Sequence, residues 1–181
     1  MSDRKTWGLQ LADTERVECL LDRMAEQIIP TISGETSLLG ILRRGAPLAQ
    51  ALADRVERTG RARPVVGKLK LKRYADDLTL LHEQPELDES TLDIEIEDRH
   101  LILVDDVIYS GESMFRACCF LRTMGAKRLQ LAALCVRGKA DMPLRTDFVG
   151  LQLDIGPDWI IDCAVPPYED ELGIVINPRP D

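Results

Sequence analysis

Apolar residues recur at helical spacing over residues 13–29, at Val17, Leu20, Leu21, Met24 and Ile28. This predicts an amphipathic helix with Asp13 or Thr14 as its N-cap. Residues 37–42 form a short apolar run that ends at Arg43-Arg44-Gly45. A second helix is predicted over 46–58, with Pro47 in its first turn and Gly60 just past its end. Strand character follows over 65–74 through Val65, Val66, Leu69 and Leu71. Residues 75–90 are polar, acidic and without period, which predicts a long loop of the kind that usually serves function. Residues 92–96 alternate, and 100–104 read as a solid apolar strand. A helix is predicted over 113–124, stopped by Gly125, and a buried strand over 129–136. Phe148–Leu153 and Trp159–Ala164 read as two further short strands. Strand and helix in alternation imply an α/β fold, a doubly wound parallel sheet covered on both faces.

Composition narrows the class. The chain has 181 residues, the size of one domain (1–181), and its 45% hydrophobic and 30% charged content is that of a globular chain rather than a disordered one. A net charge of −8 disfavours non-specific binding to nucleic acid or an anionic membrane. The 5 cysteines are scattered, with no CxxC pair and no zinc spacing, which predicts reduced thiols in a cytoplasmic protein. Met1-Ser2-Asp3-Arg4 lacks an apolar signal core and no run approaches membrane-spanning length, so no membrane partner is expected.

The strongest chemical signal is Leu101-Ile102-Leu103-Val104-Asp105-Asp106-Val107-Ile108-Tyr109-Ser110-Gly111-Glu112-Ser113. An apolar strand runs into two adjacent carboxylates, then a turn of small residues, then a helix start. Backbone N–H groups and the positive helix end face an anion there, Gly111 allows close approach, and the Ser hydroxyls donate. No Gly-Lys-Ser/Thr follows, so this is not a Walker loop. Carboxylates accept hydrogen bonds from vicinal hydroxyls and orient hydrated Mg²⁺. An ordinary strand-to-helix turn with solvated Asp residues fits the same pattern.

This segment resembles the phosphoribosyl pyrophosphate (PRPP) signature of type I phosphoribosyltransferases. Other stretches match in order: Gly40-Ile41-Leu42-Arg43-Arg44-Gly45-Ala46-Pro47-Leu48-Ala49 resembles the pyrophosphate loop and its helix, and Tyr74-Ala75-Asp76-Asp77-Leu78 the catalytic flexible loop. Leu129-Gln130-Leu131-Ala132 and Pro143-Leu144-Arg145-Thr146-Asp147-Phe148-Val149-Gly150 continue the match. Within the family the set most resembles the PyrR branch, bifunctional uracil phosphoribosyltransferases and pyrimidine-operon attenuators. The resemblance implies a core over about residues 31–150 and a small hood from about 1–30 and 151–181. It implies that Val107, Ile108, Tyr109, Ser110, Gly111, Glu112 and Ser113 form the 5′-phosphate loop. Asp105 and Asp106 would take the ribose hydroxyls and Mg²⁺, and Arg43, Arg44 and Gly45 the pyrophosphate. Arg73 and Tyr74 would act from the flexible loop, with Arg73 standing in for the Arg that the branch usually has where Ala75 lies. Lys68, Lys70, Lys72 and Arg73 fit either a pyrophosphate clamp or a solvated strand face, since the lysines alternate with Val66, Leu69 and Leu71.

Two signals bear on the base. Tyr109 stands where purine enzymes usually place an Asp, which favours a pyrimidine, most simply uracil. The stretch Asp147-Phe148-Val149-Gly150 with Asp158-Trp159-Ile160-Ile161 is similar to the hood of hypoxanthine-guanine enzymes, with Trp159 as stacking platform, Ile160 beside it and Arg137 donating to a base oxygen. Val136 replaces the Asp that precedes Arg137 in the PyrR branch. RNA binding is possible by resemblance and disfavoured by charge; Arg55, Arg58, Arg61 and Arg63 are the one basic cluster, equally readable as a solvated helix end. His82 and His100 read as surface or strand-edge residues, Cys118-Cys119 as helix packing, and Pro166-Pro167-Tyr168-Glu169-Asp170-Glu171 as an exposed turn open to an oligomer contact. A homodimer or higher oligomer is implied by the family.

Overall fold

Alternate residues of the central strands bury on opposite sides. Leu38, Ile102, Val104, Ala132 and Leu134 join one apolar cluster, while Leu39, Leu101, Leu103, Leu131 and Ala133 join another. Such period-two division is what a sheet covered on both faces requires. The computed structural model describes residues 8–70, 92–138 and 141–179. Its larger sheet contains β2 (Thr36–Ile41), β3 (Val65–Leu69), β4 (His100–Ile108), β5 (Arg128–Arg137) and β6 (Phe148–Leu153). Their order is β3-β2-β4-β5-β6 and every pairing is parallel. Helices α1 (Thr14–Ile28) and α2 (Gly45–Arg58) supply the first cluster and α3 (Glu112–Thr123) the second. This is the doubly wound α/β sheet that the alternation predicts.

A second, antiparallel sheet of β1 (Leu9–Ala12), β8 (Gly173–Pro178) and β7 (Trp159–Ala164), in that order, forms the hood. The periodicity reading omitted β1 and β8. Helix α1, within the segment expected in the hood, packs on α2 and β6 of the core instead. Its N-cap is Asp13, whose side chain accepts from Arg16 N at 2.9 Å, and its apolar stripe of Val17, Leu20, Leu21, Met24 and Ile28 is buried. Residues 92–96 alternate yet form no strand. Asp93 accepts from Lys68 N at 3.0 Å, and Leu92 and Ile94 pack against the second cluster, so the apolar alternation serves packing rather than a ladder.

Two charged residues depart from the sequence reading. Arg55 is 7% exposed, with Nε donating to Asp22 Oδ1 at 2.7 Å and its guanidinium also paired with Glu18. Arg63 pairs with Asp54 at 2.7 Å. Half of the expected basic cluster is therefore paired within the chain, Arg55 buried and Arg63 at the surface. His100 is buried rather than at the surface, because β4 lies between β2 and β5. A polar chain crosses the amino end of the sheet through it: Thr36 Oγ1 to His100 Nδ1 (3.1 Å), His100 Nε2 to Gln130 Oε1 (2.9 Å), and Gln130 Nε2 to Asp147 Oδ1 (3.3 Å). Because the Gln130 amide nitrogen donates to Asp147, its oxygen faces His100, so Nε2 carries the proton and Nδ1 accepts from Thr36. All five cysteines are free. Burial pushes the Cys118 thiol up to about 11, which suits packing.

Burial, helped by Arg128, holds the His100 imidazole below its ordinary value, against the Gln130 bond and Asp147. The unfolded chain therefore takes up this proton more readily than the folded one, and stability is full above the ordinary histidine pKa and falls as pH drops through it. Thermal unfolding of the wild type should show a declining midpoint from pH 7 to pH 5. His100→Gln should start lower and decline less over the same interval.

Candidate active site

Parallel neighbours β2 and β4 carry Gly40 beside Val104, so the chain leaves both strands at the same edge of the sheet. After β2 it turns through residues 42–44, with a cis peptide between Leu42 and Arg43, into α2. Gly45 begins that helix hard against β4: a Cβ there would lie 2.3 Å from Val104 O and 3.2 Å from Asp105 Cα. Only glycine allows this approach. The pyrophosphate loop expected at Arg43, Arg44 and Gly45 thus touches the strand that bears the acidic pair.

β4 is longer than the apolar run suggests. It carries Asp105, Asp106, Val107 and Ile108 within the strand before the turn at 109–111. Gly111 has φ of +82° and caps α3, a conformation that favours glycine. Ser110 Oγ accepts from Glu112 N at 3.3 Å. Ser110 O is braced by Asp141 N at 2.9 Å and Met142 N at 3.1 Å. Asp105 Oδ1 accepts from Asp106 N at 2.9 Å. A cavity of about 100 Å³ lies inside this turn, lined by Ile41, Leu42, Asp105 and residues 107–114. All seven residues expected to form the phosphate loop, Val107 to Ser113, therefore line one concavity. First-turn amides of a helix facing such a space suit an anion. Arg116 pairs with Glu112 one helical turn on, which answers the one negative side chain of the turn.

A larger cleft of about 880 Å³ adjoins it, between the sheet edge and the hood. Arg44, Asp106, Tyr109, Arg137, Ile160 and Asp162 are among its walls. Tyr109 rivets the two parts: its hydroxyl donates to Ile161 O at 2.5 Å and accepts from Ile161 N at 2.9 Å. Burial raises its pKa, which keeps the phenol protonated for that donation. The Arg137 guanidinium stands 5.8 Å from the Tyr109 ring centroid, and its Nε reaches Ile155 O at 3.4 Å.

The hood supplies residues that sequence reasoning missed. Trp159, expected as the stacking platform, does not line the cleft. At the start of β7 it is left 39% exposed, while Ile160, Ile161 and Asp162 line the cleft. Asp162 could have been found from its place in the same short strand as Ile160. The 166–171 turn is not simply exposed. It folds back on the pyrophosphate loop, with Tyr168 5.1 Å beneath the Arg43 guanidinium and Glu169 paired with Arg44 at 2.5 Å. Arg44 also lies 3.6 Å from Asp162 and 3.8 Å from Asp106. The Glu169 hydrogen bond and charge raise the Arg44 pKa, and Arg44 with Val165 N holds the Glu169 carboxyl below its ordinary range. No sequence signal marks Glu169. Lys68 and Lys70 are exposed and line neither cavity. Arg73 and Tyr74, with Lys72 and the 75–90 loop, lie outside the described residues.

An acidic pair beside an anion cradle stands at the carboxyl edge of a parallel sheet under a small hood, where open α/β sheets bind ligands. Residues 8–171 match the phosphoribosyl transferase domain, and the chain belongs to that family. Its curated relatives include the bifunctional protein PyrR of Clostridium novyi, 33% identical over 169 residues covering 92% of this chain and 95% of the relative. That of Alkaliphilus metalliredigens is 37% identical over 170 residues, covering 92% and 93%. Among solved structures, a hypoxanthine-guanine phosphoribosyltransferase from Bacillus anthracis matches at TM-score 0.71 and 19% identity, over 93% of this chain and 96% of the other. At that identity it shows the fold alone. The chain is thus a PyrR-like phosphoribosyltransferase.

Tyr109→Phe would remove both bonds to Ile161 and leave a partly buried peptide unit unpaired. Denaturant unfolding should show a loss of about 2 kcal/mol. An unchanged midpoint would mean the hood does not depend on this rivet.

Proposed function

We propose that the chain transfers the phosphoribosyl group of PRPP to uracil, releasing pyrophosphate. The observation that carries this reading is the contact of Gly45 with Val104 and Asp105, which sets the arginine loop and the phosphate cradle on either side of the acidic pair. In this reading the 5′-phosphate sits on the amides and hydroxyls of Ser110, Gly111, Glu112 and Ser113. Asp105 and Asp106 accept from the ribose hydroxyls, and their charge favours the positive character that grows at the anomeric carbon. Arg43 and Arg44 take the charge left on the departing pyrophosphate. The hood limits water, which would otherwise trap the activated sugar.

Two strand-borne carboxylates fit an accompanying Mg²⁺, since this ion takes oxygen ligands and is usually held by one or two carboxylates together with substrate phosphates. Among the described residues no cluster of three or more ligating side chains stands alone, so Asp105 and Asp106 would hold it jointly with the substrate. Bound there, it would neutralise the pyrophosphate.

For the base, Arg137 supplies a donor toward a carbonyl oxygen and Ile160 an apolar wall. The group directly ahead of Ser110 is a phenol already spent on Ile161, so no carboxylate stands there to meet a purine nitrogen. This supports uracil over hypoxanthine or guanine. RNA attenuation has less support, because Arg55 and Arg63 pair internally and the chain carries −8. The reading includes a homodimer or larger oligomer in the cytoplasm.

Incubation with PRPP, Mg²⁺ and each common base, following pyrophosphate, should show turnover with uracil. Turnover with hypoxanthine or guanine alone would assign the purine branch, and silence with every base would refute transfer. Asp106→Asn should lower kcat/KM by about 10²-fold.

A further inference from the structure

The guanidinium of Arg44 is already occupied. Its Nε lies 3.2 Å from both carboxylate oxygens of Glu169, and its NH2 nitrogen lies 2.5 Å from Oε1. This is the fork-to-fork geometry with which arginine also grips a phosphate. Glu169 is held in place from behind, since its Oε2 accepts from Val165 N at 2.7 Å within the same turn. Tyr168, one residue earlier, lies under Arg43. A single turn of the hood therefore engages both arginines of the pyrophosphate loop.

We propose that Glu169 is a positioning residue that competes with the pyrophosphoryl group for Arg44, so that the 165–169 turn sets how tightly the site holds pyrophosphate. The inference rests on the assignment of Arg43 and Arg44 to pyrophosphate given above. Three carboxylates, Asp106, Asp162 and Glu169, lie within 4 Å of this one cation. Arrival of a multiply charged diphosphate adds more negative charge to the same place, and Glu169 holds the edge that the diphosphate needs. The pair is also open to exchange: the Arg44 and Glu169 side chains are 30% and 29% exposed, so water can solvate either partner as they separate. A site of this kind trades affinity for release, and the product that benefits is pyrophosphate.

Replacing Glu169 by glutamine keeps an oxygen for Val165 N and removes the competing charge. Calorimetric titration with pyrophosphate and Mg²⁺ should give about fivefold tighter binding to Glu169→Gln than to the wild type. The KM for PRPP should fall while that for uracil stays unchanged. Damage to the turn would weaken binding, so tightening separates competition from mere support. If Glu169→Gln does not fold by its melting curve, Glu169→Asp carries the test: its shorter carboxylate withdraws from Arg44, and binding should again tighten, though less. Equal or weaker pyrophosphate binding in the folded variant overturns the inference and leaves the transferase reading standing. A wild type that binds neither pyrophosphate nor PRPP defeats both.

Discussion

The site depends on one steric constraint: two strand-to-helix turns must rise side by side from adjacent parallel strands. Pairing of Gly40 with Val104 fixes which residues meet at the sheet edge. Absence of a side chain at Gly45 then lets the first turn of α2 rest on the backbone of Val104 and Asp105. Without that contact the arginines and the acidic pair would belong to separate loops. With it, a cation-rich turn, two carboxylates and an amide-lined cradle share one edge, where open α/β sheets bind their ligands.

The hood is joined to this edge by two seams of different physical character. At Tyr109 a neutral, directional pair of hydrogen bonds ties the phosphate turn to the backbone of β7. Such bonds resist sliding and are indifferent to an arriving anion. At Arg44 the seam is ionic, part-exposed and made by a group that the proposed reaction also uses. A hood fixed at one seam and exchangeable at the other can stay registered over the cleft while Arg44 changes its partners.

The buried sheet was legible because its strands are covered on both faces and therefore read as continuous apolar runs. Phe148–Leu153 of that sheet, and Trp159–Ala164 of the hood, emerge with the very bounds expected. β1 and β8 were not legible: β1 has only four residues at the hood's edge, and β8, although central with Ile174 and Ile176 buried, is a short run that ends in Asn177-Pro178. The acidic pair and its small-residue turn were visible because an apolar strand running into two carboxylates, a glycine and a helix start is a local pattern. His100 and Arg55 were misread for a common reason: a polar side chain's burial depends on partners distant in sequence, Gln130 for one and Glu18 with Asp22 for the other. Glu169 had no local signal, since only the fold-back of its turn brings it to Arg44.

The most direct test of the central claim is a crystal structure of the protein with PRPP and Mg²⁺. The account predicts the 5′-phosphate on the amides of residues 110–113, the ribose hydroxyls on Asp105 and Asp106, and the diphosphate against Arg43 and Arg44. A sugar phosphate bound away from the acidic pair, or seated there with its diphosphate turned from the arginines, would contradict it.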